Sequence, residues 1–88
     1  MRKEHILKFY NEEDLFFIDG FDRAIIGVST NMNVVYSTST TIEILVQERG
    51  FDLDDAIQFA EYNLFFGFYE RSPIWVYDTF DLIQEDDA

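Results

Sequence analysis

Apolar positions along this chain fall into short blocks, and their spacing changes partway along. Leu15, Phe16, Phe17 and Ile18 make a compact apolar run that ends at Asp19-Gly20. That run predicts a first strand over 15–19, closed by a turn. Ala24, Ile25, Ile26, Gly27 and Val28 then predict a buried strand, and Val34, Val35 and Tyr36 a third. The two β-branched runs flank Asn31-Met32-Asn33, which is the signature of a hairpin. Gly27 inside the first of them predicts a bulge or a close approach by another element.

Beyond residue 40 the spacing turns helical. The stretch 40–49 is ambiguous, because Ile42, Ile44 and Val46 alternate and β-branched residues favour strand. Thr40 and Glu43 nevertheless suit a capping box. Ile42, Leu45 and Val46 share one helical face, and Gly50 stands where a helix-ending glycine belongs. A helix is the expectation. The stretch 53–66 is clearer. Asp52 is a good N-cap, and Asp54 and Asp55 occupy the first turn, where the helix dipole favours negative charge. Leu53, Ala56, Ile57, Ala60 and Leu64 form one apolar stripe, with Phe59, Tyr62 and Phe66 at its sides and Gly67 as its expected end. Asn63 lies among apolar neighbours and is expected to bond a strand or loop backbone as a buried polar group.

Pro73 precedes Ile74, Trp75, Val76 and Tyr77, which predict a last strand whose alternate residues face the helices and the outside. The expected order is β-β-β-α-α-β. It gives an α+β fold, a small antiparallel sheet with two helices on one face.

The ends are more polar. In 1–14, Ile6, Leu7, Phe9 and Tyr10 suggest a short strand or loose docking, with the first residues frayed. The tail from 79 to 88 is acidic, with Phe80, Leu82 and Ile83 its large apolar residues, and suits a short amphipathic turn or a disordered end. The 88 residues suffice for a single domain, 1–88. Its modest core is enriched by ten Phe, five Tyr and one Trp.

Charge narrows the function. Eighteen acidic and six basic residues give a net charge of -12. Such a surface repels phosphate, which disfavours direct nucleic-acid binding, and it repels anionic membranes. It attracts a basic protein, including one whose basic groove normally holds DNA. The plainer account is that charge keeps an aromatic-rich small protein in solution.

Chemistry is sparse. Without cysteine there is no disulfide, thiolate nucleophile or thiolate zinc site. His5 is the single histidine, too few for a usual zinc site or a paired nucleophile. Asp52, Asp54 and Asp55 lack the glycine and the distant Glu of a calcium loop. No glycine-rich phosphate loop occurs. The expectation is no enzyme, no cofactor and no metal, although a carboxylate pair acting in an enzyme or ligand pocket stays open as an alternative. The opening stretch, MRKEHILKFYNEED, is not patterned as a signal peptide, and the aromatic run 64–69 is too short for a bilayer.

Several segments carry a resemblance: GFDRAIIGV (20–28), VVYS (34–37), IEIL (42–45), DAIQFAEYNLFFGFYE (55–70) and PIWVY (73–77). Together they resemble a group of small, functionally unassigned proteins encoded by tailed bacteriophages, in which a DAxxFxEYNxxGxYxGExxP-like stretch is typical. Asp55, Ala56, Phe59, Glu61, Tyr62, Asn63, Gly67, Tyr69 and Pro73 carry the match, and the likeness covers roughly residues 15–78. The resemblance implies a phage setting and hence the cytoplasm of a host cell. The chain departs from the pattern at Phe66-Gly67-Phe68, where small residues are usual, and at Arg71.

Candidate contact residues follow from excess aromatics. Tyr62, Phe65, Phe66, Phe68 and Tyr69 crowd the segment 62–69, and a two-layer domain cannot bury them on every side. Phe65, Phe66, Phe68 and Tyr69, with Trp75 and Tyr77 of the last strand, are the candidate anchors. Asp81, Glu85, Asp86 and Asp87 are the candidate steering charges. The plainer account is that the rings wrap the core and the acids solvate the tail. If the last strand is an edge, it also offers pairing with its copy in a homodimer. The leading expectation is a phage accessory protein that binds and inhibits or modulates a host protein with a basic surface, such as a defence or nucleic-acid-processing factor. A DNA mimic is the alternative.

Overall fold

A computed structural model describes residues 2–65 and 72–77. It shows an α+β fold built on a three-stranded sheet. In chain order the elements are α1 (Arg2–Ile6), β1 (Ile25–Val28), β2 (Val34–Ser37), α2 (Thr38–Arg49), α3 (Leu53–Ala60), a π-turn (Glu61–Phe65) and β3 (Ile74–Val76). Single 3-10 turns at Glu12–Asp14 and Asp22–Ala24 join the early segments.

β2 is central. It pairs antiparallel with β1 and parallel with β3, so the sheet is mixed rather than purely antiparallel. The cause is the long connection. A chain that leaves β2, forms α2 and α3 and returns can lay its next strand parallel, as any helical crossover does.

The hairpin forms where the sequence places it. Ser29 N–H donates to the Asn33 carbonyl at 2.8 Å, and Met32 N–H donates to the Ser29 carbonyl at 3.0 Å. Met32 takes the left-handed conformation, φ 67°, that follows a tight turn in such loops. Asn33 also reaches the segment just before β3, its side-chain amide donating to the Ser72 carbonyl at 2.9 Å. The bulge expected near Gly27 is present. Ile25 pairs with Tyr36 and Gly27 with Val35, which leaves Ile26 as the extra residue.

The run 15–19 is not a strand. Leu15 is buried and Phe17 and Ile18 pack on the core, but the segment is irregular. The Ile18 N–H goes to the Tyr36 hydroxyl at 2.8 Å instead of to a neighbouring strand. The expected turn at Asp19-Gly20 does form, with Gly20 at φ 90°. Residues 2–6 are a short helix rather than a strand. Ile6 anchors it in the core, and the Arg2 guanidinium donates to the carbonyls of Ile25 at 2.6 Å and Arg23 at 3.1 Å.

Helix α2 starts earlier than the Thr40–Glu43 capping box implies. Ser37, extended at the end of β2, accepts from Thr40 N–H at 3.1 Å and is the N-cap. The strand therefore runs straight into the helix, and Glu43 is left to pair with Arg23. Thr38, Thr41, Ile44 and Leu45 form the buried face, while Ile42 and Val46 are half-buried beside it. Thr41 tolerates burial because its hydroxyl donates to the Ser37 carbonyl at 2.8 Å. Gly50 ends the helix at φ 74°, as expected. Asp52 caps α3 by accepting from Asp55 N–H at 2.9 Å.

The core lies where the inner sheet face meets the helices. Val34 and Tyr36 of β2, Ile25 of β1, Ile44 and Leu45 of α2 and Ala56 and Ala60 of α3 share one cluster with Phe21. The two buried alanines let α3 pack closely on α2. Leu53, expected in the α3 stripe, instead lies exposed at the helix start.

Candidate protein-binding surface

Three rings join the end of α3 to the sheet. Tyr36 and Trp75 are cross-strand partners in β2 and β3 and stack at 5.1 Å. Phe65, at the end of the π-turn, tilts onto Trp75 at 4.9 Å. Tyr36 is fully buried, and Phe65 and Trp75 are half-buried against the core. Two of the sequence-nominated anchors thus sit in one stack that fastens β3 to α3. Tyr77, just past β3, is 66% exposed. Phe66, Phe68, Tyr69, Asp81, Glu85, Asp86 and Asp87 lie outside the described residues.

The Tyr36 phenol holds its proton more tightly than a free one. Burial raises its pKa, the hydrogen bond from Ile18 N–H opposes that shift by favouring the phenolate, and the charges of Asp22 and Asp19 add to the rise. The group is a neutral core acceptor under ordinary conditions.

The outward side of α3 is a second surface. Asp54, Asp55, Gln58, Glu61 and Tyr62 are all exposed, and Tyr62 is 82% accessible. Tyr62 is thus not at the side of the apolar stripe, where the spacing of 53–66 predicts it. Counting from buried Ala60 at about 100° per residue puts it on the far side of the helix, a signal present in the spacing. Asn63 is exposed too, not buried, and its side-chain amide donates to the Phe59 carbonyl one turn back at 3.0 Å. A third exposed ring, Phe9, is 73% accessible and meets His5 edge-on at 5.6 Å. Its position beyond the end of α1 follows from a helix the sequence did not reveal.

Among the described residues, Arg2, Lys3, Arg23 and Arg49 are engaged inside the molecule. Arg23 forks between Glu43 at 2.8 Å and Glu48 at 3.1 Å, binding its proton more tightly through those two bonds. Lys3 pairs with Glu12 at 3.4 Å and lies over the Phe17 ring. Arg49 covers Phe21 at 4.9 Å, and Arg2 is held by backbone carbonyls. None of these cations is paired with Asp54, Asp55 or Glu61, so the α3 surface keeps its negative field.

β3 is a terminal strand of the sheet among the described residues, whereas α1 and Arg2 lie against β1 at the other edge. Among the described residues, no group of three or more His, Cys, Asp or Glu is placed to hold a metal ion, and no helix is long and apolar enough to cross a membrane. No protein-family model, curated protein or solved structure matches the chain.

Proposed function

We propose that this chain is a non-enzymatic acidic binding protein that docks on a basic surface of a host-cell protein and inhibits or modulates it. The observation that carries the reading is the outward face of α3. It joins an almost fully exposed ring, Tyr62, to the carboxylates of Asp54, Asp55 and Glu61, while the described arginines and Lys3 are engaged elsewhere. Rings supply desolvated anchor area, and carboxylates steer a cationic partner. The phage setting rests on the resemblance carried by Asp55 to Pro73, and a defence or nucleic-acid-processing factor is the partner class that setting suggests.

The test is capture from nuclease-treated bacterial lysate, with the wild type compared with Tyr62→Ala, Tyr77→Ala and the pair Asp54→Asn/Asp55→Asn. The wild type is expected to retain a basic protein at moderate salt. Loss of a true anchor ring should weaken retention roughly tenfold or more, the range of an interface hot spot. Recovery of nothing above background at low and moderate salt would end the reading. Retention that collapses with salt and ignores Tyr62→Ala and Tyr77→Ala would favour nucleic-acid imitation.

The place of β3 at the end of the sheet, among the described residues, supports self-pairing as a second reading, in which two copies meet edge to edge. Net charge opposes it, so sedimentation should show dimer only as salt rises. A monomer at every salt concentration removes that reading.

A further inference from the structure

Residues 61–65 wind as a π-turn, although α3 before them is regular α-helix. The difference decides where the last rings point. An α-helix advances about 100° per residue, and a helix closed by i→i+5 bonds advances about 80°. Ala60 is buried and marks the inward direction. Continued α winding would put Leu64 about 40° and Phe65 about 140° from Ala60, leaving Phe65 on the outward side with Tyr62. The π-turn puts them about 40° to either side of Ala60. Both side chains are accordingly half-buried, and Phe65 meets Trp75. The turn therefore behaves as one extra residue in the helix. It presents Tyr62 outward and keeps the two apolar residues after it inside.

We infer that the end of α3 is a two-register element. In the π register Phe65 lies on Trp75. In the α register the same segment turns Phe65 outward beside Tyr62 and makes the docking face a two-ring surface. The two registers exchange a ring contact and the burial of Phe65 for regular α hydrogen bonds. The consequence for binding rests on the docking role proposed above, but the register itself is tested without any partner.

Relaxation dispersion on the backbone of 61–65 and the rings of Phe65 and Trp75 should show microsecond-to-millisecond exchange with a minor state of about 0.1–10%. Deleting Tyr62 removes the extra residue. An α-helix then places Leu64 and Phe65 about 60° and 40° from Ala60, both inward. The deletion variant should fold, keep the Phe65–Trp75 cross-peaks and lose the exchange. Absence of exchange in the wild type overturns the proposal. So does a deletion variant that unfolds or loses the Phe65–Trp75 contact, because a one-residue deletion disrupts a helix that had no residue to spare.

Discussion

Tyr36 shows what one side chain does in several places at once. Its ring fills the core and stacks on Trp75, and its hydroxyl accepts the Ile18 N–H that no strand satisfies. Tyr36→Phe keeps the ring and orphans that N–H. The N–H is only partly buried, so the expected loss is about 1 kcal/mol, the usual net worth of one hydrogen bond, measured by urea unfolding. The same phenol sets a pH dependence. Its folded pKa is raised above the unfolded value of about 10, so the unfolded chain releases the proton first. The contribution is intact below about pH 10 and is lost as pH climbs from there through the folded pKa. Tyr36→Phe should flatten the alkaline fall in stability relative to wild type. An unchanged slope would show that another group sets it. The sequence marked Tyr36 only as a strand residue, because its role depends on an irregular segment 18 residues earlier. Asn63 was misplaced for a related reason: its partner is a backbone carbonyl one turn back, which no side-chain pattern displays.

Elements were most legible where local chemistry alone fixes them. Asp52 and Gly50 could be assigned from the sequence because a cap and a left-handed stop depend on a few adjacent residues. Asp52→Ala removes the acceptor for Asp55 N–H and should cost about 1 kcal/mol, whereas Asp52→Asn should cost much less. Gly50→Ala places a Cβ at φ 74°, where the cost is steric and conformational and amounts to about 1–2 kcal/mol. Among the described residues nothing beyond the adjoining chain lies within 4 Å of the added atom, so a loss there reports backbone conformation rather than a clash. Chemical denaturation of the three variants separates these contributions. If Asp52→Asn proves as damaging as Asp52→Ala, the cap is not the source of the effect. The elements that eluded the sequence were set by tertiary demands. The start of α2 moved to Thr38 because Ser37 serves as strand end and cap together. The run 15–19 has strand composition but, among the described residues, no strand pairs with it to complete a ladder.

At the scale of the whole molecule, the α+β layering was readable from the change in apolar spacing, and the sheet direction was not. A hairpin declares its antiparallel sense through a short turn, while the sense of β3 depends on where two intervening helices return the chain. Charge is the other property that belongs to no single element. The net charge of -12 makes each carboxylate raise the cost of the others in the compact state. Salt should therefore stabilise the fold. The screening length shrinks from about 30 Å at 0.01 M to about 8 Å at 0.15 M, which removes repulsion between distant acids first. The fork of Arg23 with Glu43 and Glu48 is weakened by the same ions, but its groups are exposed and such pairs contribute little. Thermal melts followed by circular dichroism should thus rise by several degrees over that range, since about 1 kcal/mol moves the midpoint of a chain this size by about 4–8 °C. A midpoint that stays level or falls would mean that the internal ion pairs outweigh the general repulsion. The acids would then be largely neutralised by their own chain, and the steering field on α3 would lose its source.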